Sequence, residues 1–64
     1  MRYKILVQKA GSVIQTDFER AANELAQKVN EALREGWEVQ GGVAEGRTTA
    51  AEIVYLMQAI VKRE

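Results

Sequence analysis

The sequence lacks cysteine, histidine and proline, and it has only one tryptophan, two tyrosines and one phenylalanine. Without cysteine, disulfides, thiol catalysis and thiolate metal sites are excluded, and without histidine, imidazole ligands and histidine-based acid–base chemistry are excluded. Nine basic residues balance nine acidic ones, so the positive excess typical of nucleic-acid or membrane-surface binders is missing. No apolar run approaches the roughly 20 residues of a membrane span, and Ile5-Leu6-Val7 is too short for a secretory signal. We therefore expect a cytoplasmic protein that makes no membrane contact.

The length of 64 residues allows one domain, residues 1–64, and no proline-rich linker divides it. A domain of this size buries only about 60% of its unfolded surface and usually needs a disulfide, a metal or a partner chain. Hydrophobic residues nevertheless make up 47% of the chain. Since disulfides are excluded and no metal site is visible, oligomerisation is the expected source of the additional stability.

Three β-prone segments and one segment of helical periodicity account for most of the chain. In chain order they predict a strand over Arg2 to Lys9, a helix, a strand over Trp37 to Ala44 and a strand over Ile53 to Lys62. A connection over 10–15 and a loop over Glu45 to Ala51 lie between them. Thr49 to Glu52 also fits a capping box, so a C-terminal helix is the alternative to the third strand; β-propensity favours the strand.

The helix has clear ends in the sequence. Thr16 is predicted as the N-cap, with Glu19 completing a capping box, and Gly36 is predicted to follow the last turn with Trp37 packing back on it. One apolar stripe runs along the helix at Phe18, Ala22, Leu25, Val29, Ala32 and Leu33.

The predicted order of elements is β-α-β-β, an α+β fold with one helix on one face of a three-stranded antiparallel sheet. The third strand is the most apolar, which favours a central position and the strand order 1-3-2.

Both faces of this sheet have an apolar centre. The odd-numbered strand positions match the helix stripe and are predicted to form the core: Tyr3, Ile5, Val7, Trp37, Val39, Val43, Ile53, Tyr55, Met57, Ala59 and Val61. The even-numbered positions form a second face, apolar in the middle and charged at its ends, which is typical of an interface. We predict that the oligomer interface consists of Leu6, Val54, Leu56, Gln58 and Ile60, with Gln58 pairing with its symmetry mate. A one-residue shift in the third strand would exchange its two sets, and both are apolar.

A glycine-containing segment before the third strand nearly matches a phosphate-binding loop, since Gly41 to Thr48 reads G-G-V-A-E-G-R-T. Arg47 stands where that pattern has lysine, and the segment joins two strands, so we reject a nucleotide-hydrolase loop. A plain hairpin loop is the favoured interpretation. The alternative is an anion-contacting loop built on Arg47, Thr48 and Thr49.

Arg2 and Lys4 form a second candidate anion site, because pairing of the first and third strands brings them beside Lys62. Glu38 is expected in the same row, so cross-strand ion pairs explain this cluster at least equally well. Nucleic acid is therefore not the expected partner.

Only carboxylates, lysines and tyrosines remain as acid–base groups, and the predicted fold forces no pair of carboxylates into a pocket. We expect no catalytic residues, no metal site and no cofactor. A weak enzyme, the remaining option, would depend on Glu38, Tyr55 or Arg47.

Several blocks of the sequence together resemble a known family: Arg2-Tyr3-Lys4, Lys28-Val29-Asn30, Glu35 to Val43 with its E-G-W and G-G-V, and Tyr55 to Lys62, which reads Y-L-M-Q-A-I-V-K. They resemble the short bacterial and phage proteins known as domain of unknown function 1737. That family commonly has an aromatic residue where Met57 stands, and a shorter or differently composed loop than Glu45 to Glu52. The resemblance implies the β-α-β-β fold and supports the third strand, but it implies no activity.

Two functions are compatible with these patterns. The leading hypothesis is a non-enzymatic, self-associating domain, a structural or protein-interaction module that forms a dimer or tetramer. The alternative is an oligomeric, phage-encoded binder of a small anionic ligand, a nucleotide or second messenger, at a protomer interface. In that case Arg47, Thr48 and Thr49 would contact the anion, with Arg2 or Lys4 assisting.

Overall fold

A computed structural model describes residues 1–48 and 52–63. In chain order its elements are β1 (Arg2–Ser12), α1 (Phe18–Arg34), β2 (Glu38–Thr48) and β3 (Ile53–Lys62). The three strands form one antiparallel sheet in the order β1-β3-β2, and α1 packs on one of its faces. The predicted α+β fold and its strand order are thus confirmed, and β3 is a strand rather than the alternative helix. No helix among these residues is long and apolar enough to span a membrane.

Both outer strands extend beyond their predicted ends. β1 continues past Lys9 to Ser12, and β2 runs through part of the predicted loop to Thr48. Pairing with β3 explains both extensions, since Gly11 lies opposite Val54 and Thr48 lies opposite Ile53. Residues 49–51 of the predicted loop lie outside the described residues.

The start of α1 differs from the prediction by one residue. Asp17, not Thr16, is the N-cap, and its carboxylate accepts a hydrogen bond from the Arg20 amide at 3.0 Å. The Thr16 hydroxyl instead donates to the Ser12 carbonyl at 2.6 Å, so it is used in the turn that precedes the helix.

The end of α1 is as predicted. Gly36 has a φ of 95°, and the Trp37 amide donates to the Ala32 carbonyl at 3.0 Å. The Gly36 amide donates to the Leu33 carbonyl at 3.1 Å, which completes a Schellman motif and reverses the chain into β2.

The helix covers the opposite face of β1 and β3 from the one predicted. The central cluster of buried residues consists of Ala10, Ala21, Leu25, Val54 and Leu56, with Leu6 and Val29 packed against it. The even-numbered positions of β1 and β3 therefore face α1. In β2 the odd-numbered positions do so, since Val39 pairs with Ile60. The prediction that the odd-numbered positions form the core is therefore wrong for β1 and β3. Ala10 and Ala21, both fully buried, provide a physical reason, because their small side chains let helix and sheet approach closely.

A bulge interrupts β2 where two glycines stand in the sequence. Gln40 pairs with Ala59 and Ala44 pairs with Met57, so three residues, Gly41 to Val43, oppose the single Gln58 of β3. Gly41 has a φ of 73°, a conformation that side chains disfavour, whereas a Cβ added at Gly42 would meet nothing within 4 Å. The paired glycines thus mark the bulge, and only Gly41 has a conformation that requires glycine.

Substitution by alanine should have different effects at Gly11 and at Gly42. Gly11 has a φ of 121°, and a Cβ there would collide with the Gln15 carbonyl oxygen. We expect Gly11→Ala to lower the free energy of unfolding by about 2–3 kcal/mol. Gly42→Ala, the matched control, should change it by less than about 0.5 kcal/mol. Urea denaturation of both variants measures the difference, and equal midpoints would contradict this account of Gly11.

Candidate functional site: the open face of the sheet

The face of the sheet opposite α1 is named the open face here. β1 contributes Tyr3, Ile5, Val7 and Lys9, β3 contributes the odd-numbered positions from Ile53 to Val61, and β2 contributes Glu38, Gln40, Ala44, Gly46 and Thr48. Strand pairing defines this set, because directly paired residues of antiparallel strands point to the same side of the sheet.

The open face presents large apolar side chains to solvent. Tyr3 is 63% exposed, Ile5 51% and Val7 45%, while Tyr55 and Met57 beside them are half-buried. No element among the described residues packs on this face, since the single helix lies on the other. An apolar area of this kind is typical of a surface that another molecule covers.

The open face has large side chains along β1 and only small ones where β2 holds Ala44 and Gly46. Its β1 edge is a ridge of Tyr3, Ile5 and Val7, and its β2 edge has only the small residues Ala44 and Gly46 at the level of Val7 and Lys9. A depression of about 240 Å³ lies there, lined by Val7, Gly46, Arg47, Thr48, Tyr55 and Met57. Met57 leans over Gly46, so that a Cβ at position 46 would stand 2.7 Å from the Met57 methyl group. The surface thus has an apolar ridge and an apolar hollow.

The residues predicted as the oligomer interface lie on the other face. Val54 and Ile60 are each 1% exposed and Gln58 is 5% exposed; Leu56 is also buried, and Leu6 packs partly buried against them. In the monomer they hold α1 to the sheet, so the assignment of Leu6, Val54, Leu56, Gln58 and Ile60 to an uncovered face is corrected. The residues that do form that uncovered face are the ones predicted as the core of β1 and β3.

Gln58 has partners within its own chain. Its amide nitrogen donates to the carbonyls of Gln40 at 3.4 Å, Gly41 at 3.1 Å and Ala59 at 3.0 Å. Two of these carbonyls lie at the bulge, that of Gly41 within it and that of Gln40 just before it, where the ladder between β2 and β3 is interrupted. The side chain therefore replaces ladder bonds that the bulge removes, and the two sequence blocks G-G-V and Q-A meet at this point.

Removing the side-chain amide of Gln58 should lower the stability of the protein measurably. Gln58→Leu keeps approximate volume but leaves bulge carbonyls without their donor, so we expect the free energy of unfolding to fall by about 1–3 kcal/mol. The exposed Gln27 of α1 provides the matched control, as Gln27→Leu should change it by less than about 0.5 kcal/mol. Urea denaturation monitored by circular dichroism measures both, and equal stability of the two variants would contradict the role of Gln58 in the bulge.

The candidate cations at the start of the chain cluster around the only tryptophan. Arg2 pairs with Lys62 in the sheet, and the two cationic groups lie 5.7 Å and 5.9 Å from the centre of the Trp37 ring. Lys4 and Trp37 line a cavity of about 240 Å³ beside the end of α1. Glu38 does not lie in this row, contrary to expectation, because it pairs with Val61 in the sheet and forms an ion pair with Arg63 at 4.0 Å.

The other candidate anion-binding residues lie at the far end of the sheet. Arg47 pairs with Val54, eight residues along β3 from Lys62, which corresponds to about 26 Å. Its guanidinium forms an ion pair with Glu45 at 3.1 Å, and the Thr48 hydroxyl accepts a hydrogen bond from the Ile53 amide at 3.3 Å. Thr49 lies outside the described residues. One protomer therefore does not bring Arg47 and Thr48 together with Arg2 and Lys4.

A groove between α1 and β2 was not predicted from the sequence. Its volume is about 260 Å³, and it is lined by Ala22, Leu25, Ala26, Val29, Asn30, Val43, Leu56 and Gln58. The groove exists because α1 lies nearer to β1, where the Lys28 ammonium reaches the Val7 carbonyl at 2.8 Å and the Gln8 amide donates to Glu24. The exposed Ala26 beside Ala22 was the signal in the sequence, since it widens the apolar stripe of the helix beyond what β1 and β3 cover.

Comparison with known proteins agrees with the resemblance noted in the sequence. The model of one family, described as Domain of unknown function (DUF1737), matches residues 19–63. No curated protein and no solved structure matches the chain. The matched span includes all of α1 except its first residue, together with β2 and β3, and with them the bulge and Gln58. This protein therefore belongs to the DUF1737 family.

Proposed function

We propose that this protein is a non-enzymatic, self-associating domain whose open face packs against the same face of a second copy. The observation that supports this function is the exposure of Tyr3, Ile5 and Val7 on the face that the helix leaves uncovered. A sheet with one solvated face normally carries polar residues there. Here that face is apolar, so covering it with an identical face removes apolar surface from water on both copies.

The size of the open face is adequate for such an interface. Three strands of about ten residues, with a rise of about 3.3 Å per residue and a spacing of about 4.8 Å, give a projected area of roughly 480 Å². The accessible area of a surface that bears side chains exceeds its projected area. Two opposed faces therefore bury on the order of 1,000 Å², which reaches the lower limit of about 1,000 Å² for a specific interface.

Self-association also supplies the stability that a short chain lacks. The folded unit consists of three strands and one helix, with principal extents of 41 × 21 × 15 Å. Its core is a single layer of side chains between helix and sheet. A second copy would place a further apolar layer on the other side of the sheet, as in a sandwich of two sheets about 10 Å apart.

Sedimentation equilibrium at micromolar concentration tests this function. We expect a concentration-dependent species of twice the monomer mass of 7.2 kDa, or of four times that mass if dimers pair again. A single species of 7.2 kDa across the concentration range would contradict the proposal.

A second function is favoured by one specific observation, the group of cations around Trp37. Arg2 and Lys62 lie over the Trp37 ring, and Lys4 lines the cavity beside it, an arrangement that suits a small anion with a planar group, such as a nucleotide. Glu31 and Glu35 also line that cavity and oppose an anion, so this is the weaker of the two functions.

The only tryptophan of the chain reports on this second function directly. If a nucleotide binds, titration with adenosine monophosphate or its cyclic form should change Trp37 fluorescence, and Arg2→Ala should weaken the binding at least tenfold. Arg34→Ala, on the exposed side of α1, is the control and should leave the titration unchanged. Fluorescence that does not respond to any nucleotide would exclude this function for the probes used.

A further inference from the structure

We propose that the groove between α1 and β2 binds a small uncharged molecule with an apolar body and one hydrogen-bond donor, such as a phenol or an indole. This site is independent of self-association, because the groove lies on the helix side of the sheet and the open face lies on the other. It is also distinct from the cavity beside Trp37, with which it shares no lining residue.

The groove is a slot with walls from two elements and a buried floor. Ala22 and Ala26 of α1 form one wall, and Val43 of the β2 bulge forms the other. These residues are exposed, whereas Leu56 and Gln58 of the central strand, which form the floor, are buried. The volume of about 260 Å³ exceeds the roughly 150 Å³ of an apolar cavity that takes up benzene. A molecule of one or two rings therefore fits.

The residues that line the groove favour an uncharged occupant. No lining side chain carries a charge, and all are alanine, leucine or valine except the amides Asn30 and Gln58. An ion placed there would lose hydration without gaining an opposite charge, which is costly. An apolar molecule would instead gain by leaving water.

The Gln58 carbonyl oxygen provides a hydrogen-bond acceptor in the floor of the groove. The three backbone carbonyls that the Gln58 amide nitrogen contacts orient the whole group, because a carbonyl accepts only from its NH₂ side. Although the side chain is only 5% exposed, no group among the described residues donates to this oxygen. Among the same residues, no fully buried side-chain polar atom lacks a partner. The oxygen therefore remains accessible from the groove, where an N–H or O–H of a ligand can donate to it.

Titration of isotope-labelled protein with indole, followed by nuclear magnetic resonance of the backbone amides, tests this site. We expect saturable shifts at Ala26 and Val43, with a dissociation constant of about 1 mM or tighter, and no comparable shift at Ile14, which lies outside the groove. N-methylindole has the same rings but no N–H, so it should bind at least threefold more weakly. Equal affinity for the two compounds would overturn the donor requirement, and the absence of shifts with indole would overturn the site.

Two leucine substitutions on α1 locate the bound molecule. Ala26→Leu fills the groove, whereas Gln27→Leu places the same side chain outside it. Both positions are exposed in the helix and leucine is a good helix former, so both variants should fold. We expect Ala26→Leu to weaken indole binding at least tenfold and Gln27→Leu to leave it unchanged. Indole binding that survives Ala26→Leu would place the compound elsewhere on the protein and overturn the assignment of the groove.

Discussion

Ile60→Asp is expected to leave the chain unfolded at 25 °C. Ile60 is 1% exposed in the central strand, between Lys4 of β1 and Val39 of β2. Removing a buried isoleucine side chain costs about 2–5 kcal/mol, and a buried unpaired carboxylate adds several more. A domain of this length has little more than about 5 kcal/mol to lose. Loss of the cooperative thermal transition in far-ultraviolet circular dichroism is the expected result.

Ile14→Asp is the matched control for this experiment. Ile14 is 87% exposed in the connection between β1 and α1, so the same substitution there should change the free energy of unfolding by less than about 0.5 kcal/mol. A folded Ile60→Asp protein with the melting temperature of the wild type would contradict the placement of Ile60 beneath the helix. The even-numbered side of β3 would then be the exposed side.

Ile5→Asp is expected to separate the copies while each copy stays folded. Ile5 is 51% exposed in an edge strand, in the ridge of the open face, so aspartate remains solvated in the monomer. In the dimer the carboxylate would be buried against apolar side chains of the partner, which costs about 2–4 kcal/mol. The dissociation constant should therefore rise about 30-fold to 1,000-fold in sedimentation equilibrium.

The same Ile14→Asp variant controls for the introduced charge, since Ile14 is not part of the open face. The dimer of the Ile14→Asp variant should have the same dissociation constant as the wild-type dimer. If Ile5→Asp dimerises with unchanged affinity and unchanged circular dichroism, the open face is not the interface. Together, Ile60→Asp and Ile5→Asp separate the two apolar sides of the sheet, because one should unfold the chain and the other should only dissociate it.

Much of the architecture could be predicted because its signals are local. The β-propensity of its β-branched and aromatic residues predicted β3 with its observed ends, and Gly36 marked the end of α1 because the Schellman motif needs a residue that tolerates positive φ. The N-cap was missed by one position because Thr16 and Asp17 are both good caps. The turn that uses the Thr16 hydroxyl decided between them.

The bulge had a signal in the sequence that the strand prediction did not use. Two consecutive glycines inside a strand pattern indicate a bulge. Gln58 gave a weaker indication, as a polar residue at the centre of the most apolar strand. That its amide donates to the carbonyls of the bulge follows only from the pairing of β2 with β3, which brings residues 17 and 18 positions apart together.

The sequence by itself determined the order of elements, the central position of β3 and the presence of two apolar faces with one helix to cover them. These follow from periods of two and 3.6 residues, which are properties of short segments. Only the tertiary structure decided which face the helix covers. Period two assigns residues to a side of a strand but does not rank two apolar sides. The fully buried Ala10 and Ala21, whose small side chains fit between helix and sheet, favour the observed choice, which leaves Tyr3, Ile5 and Val7 exposed on the other face.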